Sequence, residues 1–265
     1  MSEVIQFEVP IKPFTQSPRK IWAYLPDSYT ANTKKKYPVL YMFDGHNLFF
    51  DDVATYGKSW GIKDYLDKAK LDLVVIGQDC NHIDNGRMHE YCPVKPVKVK
   101  GWEDTKKQGD ITAKWFVDVL KPYCEKEFSV YSDRNHVGIG GSSMGGLMAD
   151  YMATQYSDVF GKFACISPAT EFGKNECLKL IHHCTLHSNT RLYRSFGSNE
   201  IKNRKTEMKM INTLLELSNA FTAKGGNVYN RIILNGTHSE ATWETIVPEC
   251  IDFLFPELKT SKKNI

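Results

Sequence analysis

Ser143, the second serine of the segment GSSMG at residues 141–145, is the strongest candidate for a reactive side chain. A short apolar run at 137–140 precedes the segment, and a stretch of helical character begins at Gly146. This strand–turn–helix context is what a nucleophile elbow requires, because the sharp turn exposes the serine hydroxyl and needs small flanking residues. The sequence therefore predicts Ser143 as the nucleophile of an acyl-transfer reaction. The amide of Met144, at a helix N-terminus, is predicted to stabilise an oxyanion.

A serine of this kind needs a histidine base later in the chain, with an acid between the two. Three histidines lie in an irregular stretch before the strand predicted at 191–196: His182, His183 and His187. His238 instead follows the last predicted strand, where a loop can carry its imidazole over the edge of the sheet. His238 is therefore predicted to take the proton of Ser143 and return it to the leaving alcohol.

The acid is expected to be a glutamate, since no aspartate lies between Asp158 and Asp252. Glu200 comes directly after the penultimate predicted strand, which is where the acid of such a triad belongs. Its role would be to fix the imidazole tautomer and stabilise the imidazolium. Glu171 and Glu176 follow the preceding strand and remain the alternatives.

Apolar runs alternate with segments of helical periodicity along most of the chain. Strands are predicted at 3–9, 19–25, 37–43, 73–76, 137–140, 163–166, 191–196 and 228–234, and helices at about 59–70, 110–127, 144–156, 200–224 and 239–255. This alternation predicts an α/β fold with a mostly parallel sheet, helices on both faces and an antiparallel N-terminal strand pair. We expect a single domain over residues 1–258 and a frayed tail at 259–265.

The composition excludes several classes of partner. The 34 basic and 31 acidic residues are spread along the chain, so the net charge of +3 gives no reason to expect nucleic acid or an anionic membrane as partner. No apolar run is long enough to span a bilayer, and the N-terminus lacks the features of a secretory signal. Seven scattered cysteines without a Cys-x-x-Cys argue against a disulfide framework or a zinc site. We therefore expect a cytoplasmic protein with no cofactor and no metal; the sequence leaves the oligomeric state open.

Four segments resemble the putative-esterase (esterase D-like) branch of the α/β-hydrolases, which includes feruloyl, acetyl-xylan and siderophore esterases. They are VLYMFDGHNLF at 39–49, GGSSMGG at 140–146, GSNE at 197–200 and GTHSEATW at 236–243. The order is that of the family, although the acid segment of the family more often carries an aspartate. The resemblance implies an α/β-hydrolase fold, a small-molecule ester substrate and a second oxyanion donor at the amide of Gly45 or His46.

The long irregular stretch at 78–108 also resembles a segment near the active site of such esterases. On that resemblance Arg87, Glu90 and Tyr91 are candidate pocket residues, and Trp243 is a further candidate for a pocket wall. A solvated surface loop is the other interpretation of this stretch, and whether it forms a lid is left open.

Three functions are compatible with these residues. The favoured one is a serine carboxylic-ester hydrolase that forms an acyl-enzyme on Ser143 and acts on small or medium acyl esters of carbohydrate or phenolic alcohols. An acyltransferase would use the same triad and differ only in its acceptor. A non-catalytic binding protein that has kept the fold is disfavoured, because all three triad residue types occur at the expected places.

Overall fold

A computed structural model describes residues 1–14, 18–30 and 34–260. Its strands are β1 (Glu3–Val9), β2 (Arg19–Leu25), β3 (Val39–Phe43), β4 (Val74–Gln78), β5 (Val137–Ser142), β6 (Lys162–Ile166), β7 (Arg191–Gly197) and β8 (Asn227–Ile233). They form one sheet in the order β1-β2-β4-β3-β5-β6-β7-β8. The β1–β2 and β2–β4 pairs are antiparallel and the other neighbours are parallel. The predicted mostly parallel sheet with an antiparallel N-terminal pair is confirmed.

Helices cover both faces of the sheet. They are α1 (Ile62–Ala69), α2 (Gly86–Glu90), α3 (Gly109–Trp115), α4 (Lys121–Glu127), α5 (Met144–Gln155), α6 (Lys174–His183), α7 (Arg204–Ala223), α8 (Glu240–Glu244), α9 (Val247–Leu254) and α10 (Glu257–Thr260), with a π-helical segment at Phe116–Leu120. One apolar core lies between the sheet and α3–α7, and a second lies between the sheet and α1, α8 and α9. Every residue of β3 and β4 is buried, which explains why these parallel strands are continuous apolar runs.

Three local predictions need correction. The stretch expected to be irregular before β7 contains α6, so His182 and His183 lie in the last turn of a helix. That helix buries only Cys177 and Ile181, which leaves a weak apolar pattern in the sequence. The helix predicted at 239–255 is two helices, α8 and α9, and α9 has a proline in its first turn, where a missing amide costs least. The loop at 78–108 contains the short helix α2.

The carboxyl ends of the parallel strands all open toward one edge of the sheet, so the loops that follow β3 to β8 meet there. At the chain's end, α10 contains Lys259 and Thr260 of the predicted tail, and Lys259 pairs with Asp252 at 2.6 Å. Residues 261–265 lie outside the described part of the chain. Each helix in the described ranges is too short or too polar to span a bilayer.

Candidate active site

Ser143 occupies the turn between β5 and α5. Its backbone angles, φ 58° and ψ −121°, are unfavourable for a residue with a side chain. Two backbone hydrogen bonds hold the turn: the Ser143 amide donates to the Ile166 carbonyl at 3.0 Å, and the Ala169 amide donates to the Ser143 carbonyl at 3.0 Å. The strained turn is therefore fixed by the neighbouring strand β6 and the loop after it, and it presents the serine at the carboxyl edge of the sheet.

Two glycines make this turn possible. A Cβ atom on Gly146 would lie 2.5 Å from the carbonyl oxygen of Ile166, so only glycine lets α5 approach β6 this closely. A Cβ atom on Gly141 would lie 3.0 Å from the backbone of Gly145 and from Cβ of Phe43. The glycines of the motif thus follow from close packing around the serine.

The structure brings His238 and Glu200 together. Nδ1 of His238 lies 2.7 Å from Oε2 of Glu200. The Glu200 side chain is 1% exposed, whereas that of His238 is 41% exposed. A buried carboxylate therefore orients an accessible imidazole, which leaves Nε2 as the nitrogen available for proton transfer.

The other carboxylate oxygen of Glu200 has two donors. The hydroxyl of Ser167 donates to Oε1 at 2.6 Å, and the amide of Gly197 donates to the same atom at 2.5 Å. Trp243 donates from Nε1 to the oxygen of Ser167 at 3.0 Å, and its ring contacts the His238 ring edge-on at 5.1 Å. Because both oxygens are engaged, the carboxylate is held in one orientation.

The loops after β7 and β8 approach each other closely, which sets the position of both residues. The amide of Asn199 donates to the carbonyl of Gly236 at 2.9 Å. A Cβ atom on Gly197 would lie 2.3 Å from that same carbonyl oxygen. The glycines in GSNE and GTHSEATW therefore bring the acid loop and the histidine loop into contact.

Neither alternative acid contacts the His238 ring through a hydrogen bond within the described residues. Glu171 lies in a short 3-10 helix at Thr170–Phe172 and lines the same cleft as His238. Glu176 is on α6 and pairs with Lys179 at 2.8 Å. Of the three glutamates considered, Glu200 is the one bonded to the imidazole.

A cleft of about 640 Å³ contains Ser143 and His238. The loops after β3, β4, β6 and β8 and the first turn of α5 form its walls, and these include Asp44, His46, Tyr56, Cys80, His82, Arg87, Trp102, Met144, Glu171, Glu240 and Trp243. A hollow of similar size, about 590 Å³, is lined by Tyr24, Lys63 and Asp72. That hollow lies near the amino end of β4, away from Ser143, so the cleft is the candidate site.

The predicted oxyanion loop follows β3. Gly45 and His46 lie in a 3-10 turn, Gly45–Asn47, that Asp44 enters with φ 59°. A Cβ atom on Gly45 would lie 2.4 Å from the carbonyl oxygen of Gly77, so the loop rests directly on β4. His46 and Met144 both line the cleft that contains Ser143.

Arg87 holds this loop from the side of α2. Its Nε and Nη2 atoms donate to the two carboxylate oxygens of Asp44, each at 2.7 Å. Burial alone would lower the pKa of Arg87, but the adjacent Asp44 carboxylate outweighs this effect and raises it, so the guanidinium stays charged. The predicted pocket residue Arg87 thus lines the cleft and at the same time fixes the residue that starts the oxyanion loop.

Two predicted pocket residues do not line the cleft. Glu90 is 2% exposed and pairs with Arg19 at 2.7 Å, and the Tyr91 side chain is fully buried and donates to Gln78 at 2.8 Å. Both face the sheet rather than the cleft, because α2 turns them toward β2 and β4. Trp243 does line the cleft.

A second carboxylate–imidazole contact lies across the cleft, after β3 and β4. Asp79 Oδ1 lies 2.6 Å from Nδ1 of His46 and 2.9 Å from Nε2 of His82. Burial would raise the pKa of Asp79, but the two imidazoles outweigh it and hold that pKa well below its usual range. The Asp79 carboxylate in turn raises the pKa of His82.

Sequence reasoning missed Ser167, Asp44 and Asp79. Each stands at or just past the carboxyl end of a strand, β6, β3 and β4 respectively, and this position is the signal that could have identified them. Their partners come from other loops, so the contacts depend on the strand order.

The mixed sheet and the serine at a strand–helix turn define the α/β-hydrolase fold. Solved structures agree. A ferulic acid esterase superimposes with a TM-score of 0.69 at 20% identity, covering 96% of this chain and 97% of that chain. The siderophore hydrolase EstA from Aspergillus nidulans superimposes with a TM-score of 0.72 at 15% identity, covering 93% of each chain.

The family follows from the sequence match. Residues 13–252 match the family described as "Putative esterase", and the chain belongs to this family. The uncharacterized protein YbbA of Bacillus subtilis (strain 168) is 24% identical over 210 residues, which cover 78% of this chain and 79% of that protein. Family membership makes the chain a carboxylic ester hydrolase.

Proposed function

We propose that the chain is a serine esterase that works through an acyl-enzyme on Ser143, with His238 as general base and acid and Glu200 as the orienting carboxylate. The observation that carries the proposal is the combination of a strained serine at the elbow with a His238–Glu200 contact of 2.7 Å beside the same cleft. These are the groups that acyl transfer to serine requires.

In the first half of the reaction, Oγ of Ser143 attacks the ester carbonyl carbon while Nε2 of His238 takes the hydroxyl proton. The oxygen of the tetrahedral intermediate accepts hydrogen bonds from the Met144 amide and from the amide of Gly45 or His46. The carbon–oxygen bond to the alcohol then breaks, and the alcohol leaves with the proton from His238. Water repeats the sequence in the second half and releases the acid and the free serine.

The lining of the cleft supports the proposal that the substrate is an ester of a phenolic or carbohydrate alcohol with a small or medium acyl group. Two aromatic side chains line it with much of their surface exposed, Tyr56 at 81% and Trp102 at 39%. Aromatic faces of this kind stack on phenyl and sugar rings. The ferulic acid esterase that shares the fold is named for a phenolic acid, so its name supports an aromatic ring on the acyl side of the ester rather than a phenolic alcohol.

Reaction with a fluorophosphonate tests the mechanism. We expect one label per chain on Ser143, loss of labelling in Ser143→Ala, and full labelling in the adjacent matched control Ser142→Ala. An absence of label on the native protein would refute the serine mechanism.

A panel of acetyl, butyryl, feruloyl and sugar-acetate esters then tests the substrate class, with Ser143→Ala as the blank. We expect hydrolysis of short aryl esters. Dominant transfer to an added alcohol at low concentration would identify an acyltransferase instead.

All seven cysteines are free thiols, six of them buried. Unpaired thiols support a reducing compartment, and on that ground we propose a cytoplasmic location.

A further inference from the structure

Four side chains with metal-binding atoms converge on the cleft wall formed by the loops after β3 and β4. They are His46, Asp79, Cys80 and His82, and one donor atom from each lies within 4.8 Å of all the others. Asp79 Oδ1 contacts both imidazoles, at 2.6 Å for His46 and 2.9 Å for His82, and Cys80 Sγ lies 3.8 Å from Nδ1 of His82. The proposed mechanism uses none of these four side chains.

One atom of the cluster is unsatisfied. His46 is 8% exposed, and its Nε2 is taken by the Thr55 hydroxyl at 2.9 Å. The other nitrogen, Nδ1, is buried and points to the cluster, yet among the described residues it has no aligned hydrogen-bond partner despite its short contact with Asp79. Buried polar atoms are rarely left in this state, and a bound cation would satisfy Nδ1 directly.

The donor set selects a class of metal. Two imidazoles, one carboxylate and one thiol suit a divalent transition metal such as Zn²⁺, whereas Mg²⁺ and Ca²⁺ prefer oxygen donors. Tetrahedral Zn²⁺ sets its ligand atoms about 3.2–3.6 Å apart. The contacts of 2.6 and 2.9 Å would therefore open by less than about 1 Å, and His82, whose side chain is 59% exposed, has room to move.

We propose that His46, Asp79, Cys80 and His82 bind one divalent transition metal ion, with Zn²⁺ as the representative ligand. The proposal does not depend on Ser143 being the nucleophile, although His46 also lies in the predicted oxyanion loop. It also departs from the sequence-based expectation of no metal, because its ligands come from two loops that only the parallel pairing of β3 and β4 brings together.

Metal binding is measured on the full chain after dialysis against a chelator. Calorimetry with Zn²⁺ alone should give one site per chain. Co²⁺ alone should give the visible bands of a tetrahedral ion and a near-ultraviolet charge-transfer band from the Cys80 thiolate. The same measurements on Ser143→Ala should be unchanged, so the outcome is separate from that of the esterase proposal.

Variants locate the site. His82→Ala, at a side chain that is 59% exposed, should weaken Zn²⁺ binding by about 100-fold or more, because even the loss of a residue that only orients a ligand costs about 10–100-fold. Cys80→Ser should abolish the charge-transfer band. The matched control His89→Ala, on α2 of the same loop region, should bind Zn²⁺ like the wild type, since His89 accepts from the Lys106 amide outside the cluster. Absence of stoichiometric Zn²⁺ binding, or binding that survives both His82→Ala and Cys80→Ser, would overturn the proposal.

Discussion

The cleft has two walls, and each carries a carboxylate in contact with Nδ1 of an imidazole. On one wall Glu200 lies 2.7 Å from His238, on the loops after β7 and β8. On the other, Asp79 lies 2.6 Å from His46, on the loops after β4 and β3. The two contacts are nearly identical in length, but the Glu200 contact is an aligned hydrogen bond and the Asp79 contact is not.

Exposure and the second ring nitrogen separate the two pairs. The His238 side chain is 41% exposed, and within the described residues no hydrogen bond engages its Nε2. His46 is 9% exposed at its side chain, and Thr55 holds its Nε2. A general base must reach the substrate through the nitrogen that the carboxylate does not hold. The difference supports the proposal that His238, rather than His46, transfers the proton.

The two carboxylates also differ in the contacts that their oxygens make. Glu200 gives one oxygen to the imidazole and the other to Ser167 and Gly197, which fixes its plane. Asp79 instead shares Oδ1 between His46, His82 and the Cys80 amide. The Glu200 arrangement orients a single ring. The Asp79 arrangement brings two imidazoles to one carboxylate oxygen, and these three side chains could share a cation.

The largest expected effect is the difference in kcat between variants of the two imidazoles. We expect His238→Ala to lower kcat on a short-chain aryl ester by about 10⁴-fold or more, because the serine loses its base. His46→Gln should cost about tenfold or less, through a small shift of the oxyanion loop. Steady-state kinetics with circular dichroism as a folding check gives the comparison, and equal losses in the two variants would contradict it.

The next effect concerns the acid. Glu200→Gln should lower kcat by about 10³–10⁴-fold, since the amide cannot stabilise the imidazolium. Glu171→Gln is the matched control, because it removes a carboxylate from the same cleft without a bond to His238; its kcat should change by less than about threefold. A larger loss in Glu171→Gln than in Glu200→Gln would move the acid to the loop after β6.

The sequence was sufficient to predict the fold. It was also sufficient to predict which strand each candidate catalytic residue follows. Parallel strands such as β3 and β4 are buried on both faces, so they stand out as apolar runs, and loops at their carboxyl ends must meet. Ser143, His238 and Glu200 each follow a different strand, and the structure places Ser143 and His238 at one cleft and bonds Glu200 to the imidazole.

The features that the sequence did not reveal depend on packing between residues far apart in the chain. Glu90 and Tyr91 share a loop with Arg87, and only the contacts with Arg19 and Gln78 turn them away from the cleft. Helix α6 has two buried residues, too few for a visible periodicity. The cluster at Asp79 joins loops more than 30 residues apart, which no local spacing reveals.

The smallest expected effect concerns the pKa of a carboxyl group on each wall of the cleft. Two imidazoles lower the pKa of Asp79, whereas burial raises the pKa of Glu240, which is 4% exposed and lies beside the His238 wall. A raised pKa means that native Glu240 binds its proton more tightly than the unfolded chain does. The contribution of Glu240 to stability should therefore fall as pH rises from about 4.3 through its native pKa.

Glu240→Gln removes this titration. Its free energy of unfolding, relative to the wild type, should rise by less than about 1 kcal/mol between pH 4 and pH 7. Urea unfolding at both pH values measures the change, and Glu103→Gln, at an exposed position, should show no such rise. A relative loss of stability for Glu240→Gln at pH 7 would mean that the native fold favours the ionised carboxylate, and this wall would then resemble the Asp79 wall after all.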